Sequence, residues 1–201
     1  KKEYFSSLIF NMQPFLDNLK KSNFSEIDIE FILESGKKIK YHKGEMFSRQ
    51  GDKCNKIGIL QSGIFGGSER NPENEKRMVQ FYLLPHNYLV VDYPCFLTNS
   101  ISTQTIEALD DCEVLEMDLS SIQMLQQKFP NFLHLEKLTA EEKYLQSQEL
   151  INMFQTANAK QKVELIKEKA PELLSKVPYS YLASFLGLQR NAFAKAMKKL
   201  W

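Results

Sequence analysis

From residue 37 to 118 the sequence is cut into short runs rich in β-branched and aromatic residues, and this segmentation constrains the fold more than any other feature. The runs are KKIKYH, EMFS, KIGILQ, GIFGGSE, KRMVQFYLL, YLVV, STQTIEAL and CEVLEMD; HKGE, RQGDKCN, QSG and RNPENE break them. Runs of this length bounded by Gly, Asn and Pro read as strands joined by turns. Eight short strands in so small a span predict a closed or double-sheet β domain, a jelly roll or barrel.

Helical spacing flanks this region on both sides. Residues 1–35 read as helical. In FSEIDIEFILES, Phe24, Ile27, Phe31 and Ile32 fall on one face, Ser25 and Glu26 stand at the start, and Gly36 closes the segment. After Asp118, LSSIQMLQQKF predicts a short helix stopped near Pro130. From there to about Gln155 neither Gly nor Pro intervenes. A helix of that length is long for a small core. Phe132, Leu135, Leu138, Leu145 and LINMF supply its apolar face, with Glu142 and Glu149 interrupting a heptad counted from Leu135. A dimer seam is the preferred reading of this stretch.

Charge divides the chain unevenly. Residues 158–201 hold nine Lys/Arg against three Glu, a net +6, which leaves −5 on residues 1–157. A small basic segment beside a larger acidic one is a usual layout for a nucleic-acid binder with a separate control domain. ANAKQKVELIKEKAPELLSKVP reads as one helix ending before Pro171 or slightly beyond, with a short link to Pro178. YLASFLGLQRNAFAKAMKKL then reads as two short helices joined at LGL. Small Ala183 permits close approach, and Gly187 can take the left-handed conformation that ends a helix sharply. Leu182, Leu186, Leu188, Phe193 and Ala196 fall inward, while Gln189, Arg190, Asn191, Ala194, Lys195, Lys198 and Lys199 fall outward. A plain helical hairpin would explain the spacing and the glycine. It would not explain four cations and no carboxylate in 178–201. A helix-turn-helix needs that basic, amide-bearing face. Arg190, Asn191 and Lys195 lie where base edges are read, Gln189 can bond a base or a phosphate, and Lys198 and Lys199 suit phosphates.

The order of these parts resembles the Crp/Fnr family of bacterial transcription regulators, most strongly in VPYSYLASFLGL and QTIEALDDCEVLEMD. The resemblance implies an α+β fold: an N-terminal antiparallel, jelly-roll-like β-roll with flanking helices, a long dimerisation helix and a C-terminal helix-turn-helix. The expected divisions are a sensor at 1–129, the long helix at 130–157 and the DNA-binding domain at 158–201. The implied partners are double-stranded DNA, a second copy of the chain, RNA polymerase and a small-molecule effector. A signalling module whose helical tail contacts protein instead of DNA is the alternative. The family's recognition helix typically presents arginine, an acidic residue and a second arginine. Those positions hold Arg190, Asn191 and Lys195 here.

The sensor departs further from the family. Its cyclic-nucleotide binders carry a Gly-Glu pair and then an arginine followed by Ser or Thr. Here Val90 and Val91 stand near the first pair and Ser102 and Thr103 near the second, so these four mark any ligand pocket. Residues 78–127 hold no Lys or Arg, and 68–186 hold no Gly. A buried phosphate would have little to offset its desolvation, and Asp92 would add repulsion. Cyclic AMP is therefore not the expected effector. Cys54, Cys95 and Cys112 are odd in number, far apart and without CxxC spacing. They read as reduced packing thiols in a cytoplasmic protein, too scattered for an iron–sulfur cluster. No cofactor, catalytic constellation or metal site is expected, and no apolar run is long enough to span a membrane.

Overall fold

The computed structural model describes residues 12–199. The part of the N-terminal helical reading that falls on residues 1–11 lies outside them. The described chain divides into two compact units, one of residues 12–67 and 81–140, the other of residues 68–80 and 141–199.

In the first unit, α1 (Gln13–Lys21) and α2 (Glu26–Glu34) precede the strands. Ser25 caps α2 through a reciprocal box: its hydroxyl accepts the Asp28 N–H while the Asp28 carboxylate accepts the Ser25 N–H. The buried face of α2 is Ile32 and Leu33, and Ile27 is 79% exposed. The expected face was thus wrong at Ile27, which stays outside the core that Phe24, Phe31, Ile32 and Leu33 join. Gly36 follows directly; a Cβ there would stand 2.8 Å from the Leu115 side chain, so close approach selects the glycine.

All eight expected strands form: β1 (Lys37–Tyr41), β2 (Met46–Ser48), β3 (Lys56–Ser62), β4 (Phe65–Arg70), β5 (Lys76–Tyr82), β6 (Leu89–Val90), β7 (Thr105–Ala108) and β8 (Cys112–Asp118). They make two four-stranded sheets, ordered β1-β8-β3-β6 and β2-β7-β4-β5. The registers of β1 and β3 on β8, β6 on β3, and β7 on β2 are antiparallel. Between β6 and β7 lies a six-residue helix, α3 (Tyr93–Thr98), and α4 (Leu119–Lys128) follows β8.

Strand periodicity sends neighbouring residues of the first sheet to opposite cores. Ile59, Leu89 and Leu115 join the helices' Leu19, Ile32 and Leu125 in one cluster. Leu60, Val90 and Val114 join Phe47, Phe65 and Ile106 in another. The centre of the first sheet is therefore buried on both faces, which is why β3 and β6 read as nearly continuous apolar runs. Phe132 and Leu135, at the start of α5 (Phe132–Thr156), complete the helical cluster.

The second unit holds the rest of α5 and four further helices: α6 (Ala159–Lys169), α7 (Pro171–Lys176), α8 (Tyr179–Phe185) and α9 (Arg190–Lys198). The helix expected to end near Pro171 is α6, which stops at Lys169 because Pro171 cannot continue its ladder, and the short link expected from there to Pro178 holds the six-residue α7. Asn158 caps α6, accepting from Lys160 and Gln161 N–H, while Gln161 Oε1 accepts the Asn158 N–H. Val163, Leu182 and Phe193 are fully buried at the centre of this unit.

Candidate functional site

The turn between α8 and α9 is built by backbone hydrogen bonds. Gly187 takes φ +64°, the Leu188 N–H bonds the Ala183 carbonyl at 2.9 Å and the Gly187 N–H bonds the Ser184 carbonyl at 3.1 Å. This is the Schellman closure that a glycine past the helix end allows. Lys162 from α6 donates to the Leu186 carbonyl at 3.2 Å, placing a cation on the C-terminal end of α8. The turn directs α9 so that Phe193, Ala196 and Met197 are buried. Tyr179 meets Phe193 edge to face at 5.4 Å.

The opposite side of α9 is exposed. Gln189 occupies the N-cap with no side-chain cap bond, and Arg190 opens the helix. Asn191, Lys195 and Lys198 follow at steps of four and three residues, and Lys199 stands four beyond Lys195. All six candidate DNA-contacting residues are exposed. A helix with one buried face and one cationic, amide-bearing face can enter a groove and meet phosphates and base edges together.

Residues 76–80 of β5 belong to this second unit and touch α8. The Met78 N–H donates to the Ser184 hydroxyl at 3.0 Å. The Lys76 ammonium reaches the Tyr181 hydroxyl at 3.3 Å and lies 4.8 Å from its ring centroid. Sequence reading missed this contact, since nothing along the chain links residues about a hundred apart.

In the first unit, the residues marking the sensor pocket separate. Val90 and Val91 turn into the two different cores. Ser102 is buried and Thr103 exposed at its edge, and both serve Asp92. The Asp92 carboxylate is 3% exposed. One oxygen accepts the Cys95 N–H at 3.4 Å. The other accepts the Ser102 hydroxyl at 2.9 Å, the Thr103 N–H at 2.9 Å and the Thr103 hydroxyl at 3.2 Å. Asp92 had been read only as a repulsive charge. It is the cap of α3, and Asp-Tyr-Pro is a helix-start signature that could have revealed it.

The cysteines correct a second expectation. Cys54, in the turn between β2 and β3, is disulfide-bonded to Cys95 in α3, their Cα atoms 6.1 Å apart. The three were expected to be reduced, but spacing along a chain does not disclose which turn a roll lays against which helix. Cys112 is free and buried, and burial pushes its thiol up to about 12. Among the described residues no cluster of His, Cys, Asp and Glu could hold a metal, and no helix is long and apolar enough to cross a membrane.

Residues 38–129 match the cyclic nucleotide-binding domain family. Three solved proteins share the fold of most of the chain. CLP of Xanthomonas campestris, described as a c-di-GMP responsive global regulator, is 16% identical with a TM-score of 0.65, over 88% of this chain and 91% of that one. FixK2 of Bradyrhizobium japonicum is 14% identical with a TM-score of 0.65, over 82% and 84%. The catabolite activator protein of Thermus thermophilus is 15% identical with a TM-score of 0.55, over 88% and 84%. No curated protein matches the sequence. Residues 38–129 are thus similar to cyclic nucleotide-binding domains, and most of the chain shares the fold of these solved proteins, the fold that the sequence resemblance implies.

Proposed function

We propose that the chain is a sequence-specific, DNA-binding transcriptional regulator that works in the cytoplasm as a homodimer and does not answer to cyclic AMP. The observation that carries this reading is the one-sided α9, with Phe193 fully buried behind it and Arg190, Asn191 and Lys195 exposed in front. Residues 158–201 are the helix-turn-helix head, 1–129 the sensor and 130–157 the dimerisation helix. Arg190 suits bidentate bonding to guanine and Asn191 to adenine, and Lys198 and Lys199 neutralise phosphates. At the promoter such a protein either recruits RNA polymerase or blocks it.

The case against cyclic AMP rests on Asp92. Where the resemblance puts a cyclic phosphate, a carboxylate already takes the hydroxyl of Ser102 and both donors of Thr103. A second anion would meet charge repulsion and spent donors, with no Lys or Arg in residues 78–127 to offset it. An effector at this site would be neutral or apolar.

The reading is tested by selecting the preferred site from random duplexes and measuring affinity against salt. A specific site bound with a steep loss of affinity at rising ionic strength is expected. Salt-insensitive or absent DNA binding, together with capture of a protein partner by residues 158–201, would favour the signalling-module alternative.

A further inference from the structure

We infer that Cys54 and Cys95 form a thiol–disulfide exchange site that latches helix α3 over the Asp92 cluster. The pair joins segments 41 residues apart, with Cα atoms 6.1 Å apart, inside the roughly 4.4–6.8 Å range that a bridge needs. The turn carrying Cys54 already lies along the segment after α3. The Gly51 N–H bonds the Ser102 carbonyl at 2.8 Å, and the Ser102 N–H bonds the Asp52 carbonyl at 2.7 Å. Lys53 bridges Ile101. The bridge is thus the covalent member of a contact whose other members are hydrogen bonds, so the roll does not depend on it to close.

Helix α3 does depend on its anchors. At six residues it is far below the length at which a helix sustains itself in water. It is held by its Asp92 cap, by the bridge at buried Cys95, and by Tyr93 and Phe96 packed on the helical core. Cutting the bridge removes one of three holds and leaves the ladders of both sheets intact.

The two sulfurs differ in access. Cys54 is half-buried, between exposed Lys53 and Asn55, while Cys95 is buried. A glutathione thiolate attacks Cys54 Sγ. The Cys54–Cys95 bond breaks, its electron pair leaves on Cys95 Sγ, and that sulfur takes a proton from solvent. A second glutathione thiolate then attacks the glutathione sulfur of the mixed disulfide, and Cys54 leaves and takes a proton, so two electrons and two protons reach the protein and the two glutathiones become glutathione disulfide. The Cys95 thiol has an acceptor in place, the Ser100 carbonyl 3.1 Å from its sulfur. A disulfide oxidant reverses the sequence. In the cytoplasm, where the function proposed above places the chain, disulfides are mostly transient and redox-responsive. Cys112, buried and with its thiol pushed up to about 12, takes no part.

The test uses the full chain in glutathione buffers of graded redox poise, with free thiols counted after denaturation and backbone hydrogen exchange read by mass spectrometry. One free thiol is expected under oxidised glutathione and three under reduced glutathione. On reduction the amides of 92–99 should exchange at least about tenfold faster, while those of β3 and β8 stay unchanged. Cys54→Ser should show the fast rate in every buffer; if that variant does not fold, the wild-type comparison alone decides. Three free thiols under oxidised glutathione, a bridge that reduced glutathione leaves intact in the folded protein, or equal exchange at 92–99 in both states would each overturn the inference. None of these readouts involves DNA, so the outcome is separate from that of the proposed function.

Discussion

The Asp92 carboxylate accepts the Ser102 hydroxyl at 2.9 Å inside the roll, and that same hydroxyl lies 2.8 Å from the Gln104 carbonyl. A buried charge held by donors from one short segment is both a cap and a clasp. Asp92→Ala strands the Cys95 and Thr103 amides, while the Ser102 hydroxyl keeps the Gln104 carbonyl as acceptor. At about 1–3 kcal/mol for a buried group left unsatisfied, a loss of about 3 kcal/mol of stability is expected by urea denaturation. Asp92→Asn keeps one acceptor oxygen and should lose roughly half as much. Equal stability of wild type and Asp92→Ala would mean the cluster is solvated rather than closed.

Two substitutions on α9 separate sequence reading from anchoring. Arg190→Ala should lower affinity for the selected site by about 1–3 kcal/mol and relax preference at one base position. Lys199→Ala should weaken all sequences alike and reduce the salt slope by about one. Fluorescence anisotropy on specific and scrambled duplexes reads both. Identical losses on the two duplexes for both variants would refute this division of labour.

The strands were legible because each run is short and punctuated by turn residues, and no tertiary contact overrode that pattern. The turn at Gly187 was legible because only a left-handed residue ends α8 so abruptly. Three features were hidden for physical reasons. Ile27 sits at helical spacing yet stays outside the core that Ile32 and Leu33 join. Helix α3 is too short for a periodic signal, so its capping Asp92 was seen as charge without context. The bridge of Cys54 to Cys95 and the contact of Met78 with Ser184 join residues far apart in sequence, and local pattern carries no trace of either.

Asp118 offers a pH test of local design. It caps α4, accepting the Ser121 N–H at 2.8 Å and the Ser120 hydroxyl at 2.7 Å. Those hydrogen bonds, the Ser121 amide first, lower its carboxyl from 3.8 to about 2. A folded-state value below the unfolded one means the cap's contribution is complete above the unfolded value and fades as pH falls through the folded one. Wild type should therefore melt above Asp118→Ala at neutral pH. The gap should narrow between 3.8 and about 2. A gap that is constant through this interval would show that the carboxylate's charge plays no part in the cap.

The long helix makes the last prediction, in a frame the sequence reading did not use. Counted from Leu135, the heptad fails at Glu142 and Glu149, and Leu135 is buried in its own core. Counted from Leu133 at steps of four and three, the frame holds Leu133, Ala140, Tyr144, Ile151 and Phe154, with Lys137 and Ser147 at its two polar places. Leu133 is 73% and Tyr144 64% exposed, and Ile151 and Phe154 are exposed as well. An apolar stripe at a 3.5-residue period is the seam of a two-helix contact, and large exposed apolar side chains in a row mark an interaction surface rather than chance. A symmetric partner would set two copies of α9 about 34 Å apart, one DNA turn, on a pseudo-palindromic site. Tyr144→Glu and Ile151→Glu each place a charge in the centre of that seam and should convert a sedimenting dimer into monomer at micromolar concentration. The same variants should lose affinity for the full palindrome while keeping that for a single half-site. Leu145→Glu lies off the stripe and serves as the control. If it dissociated the dimer as fully as Tyr144→Glu, or if wild type were monomeric, the seam would lie elsewhere and the half-site spacing would lose its basis.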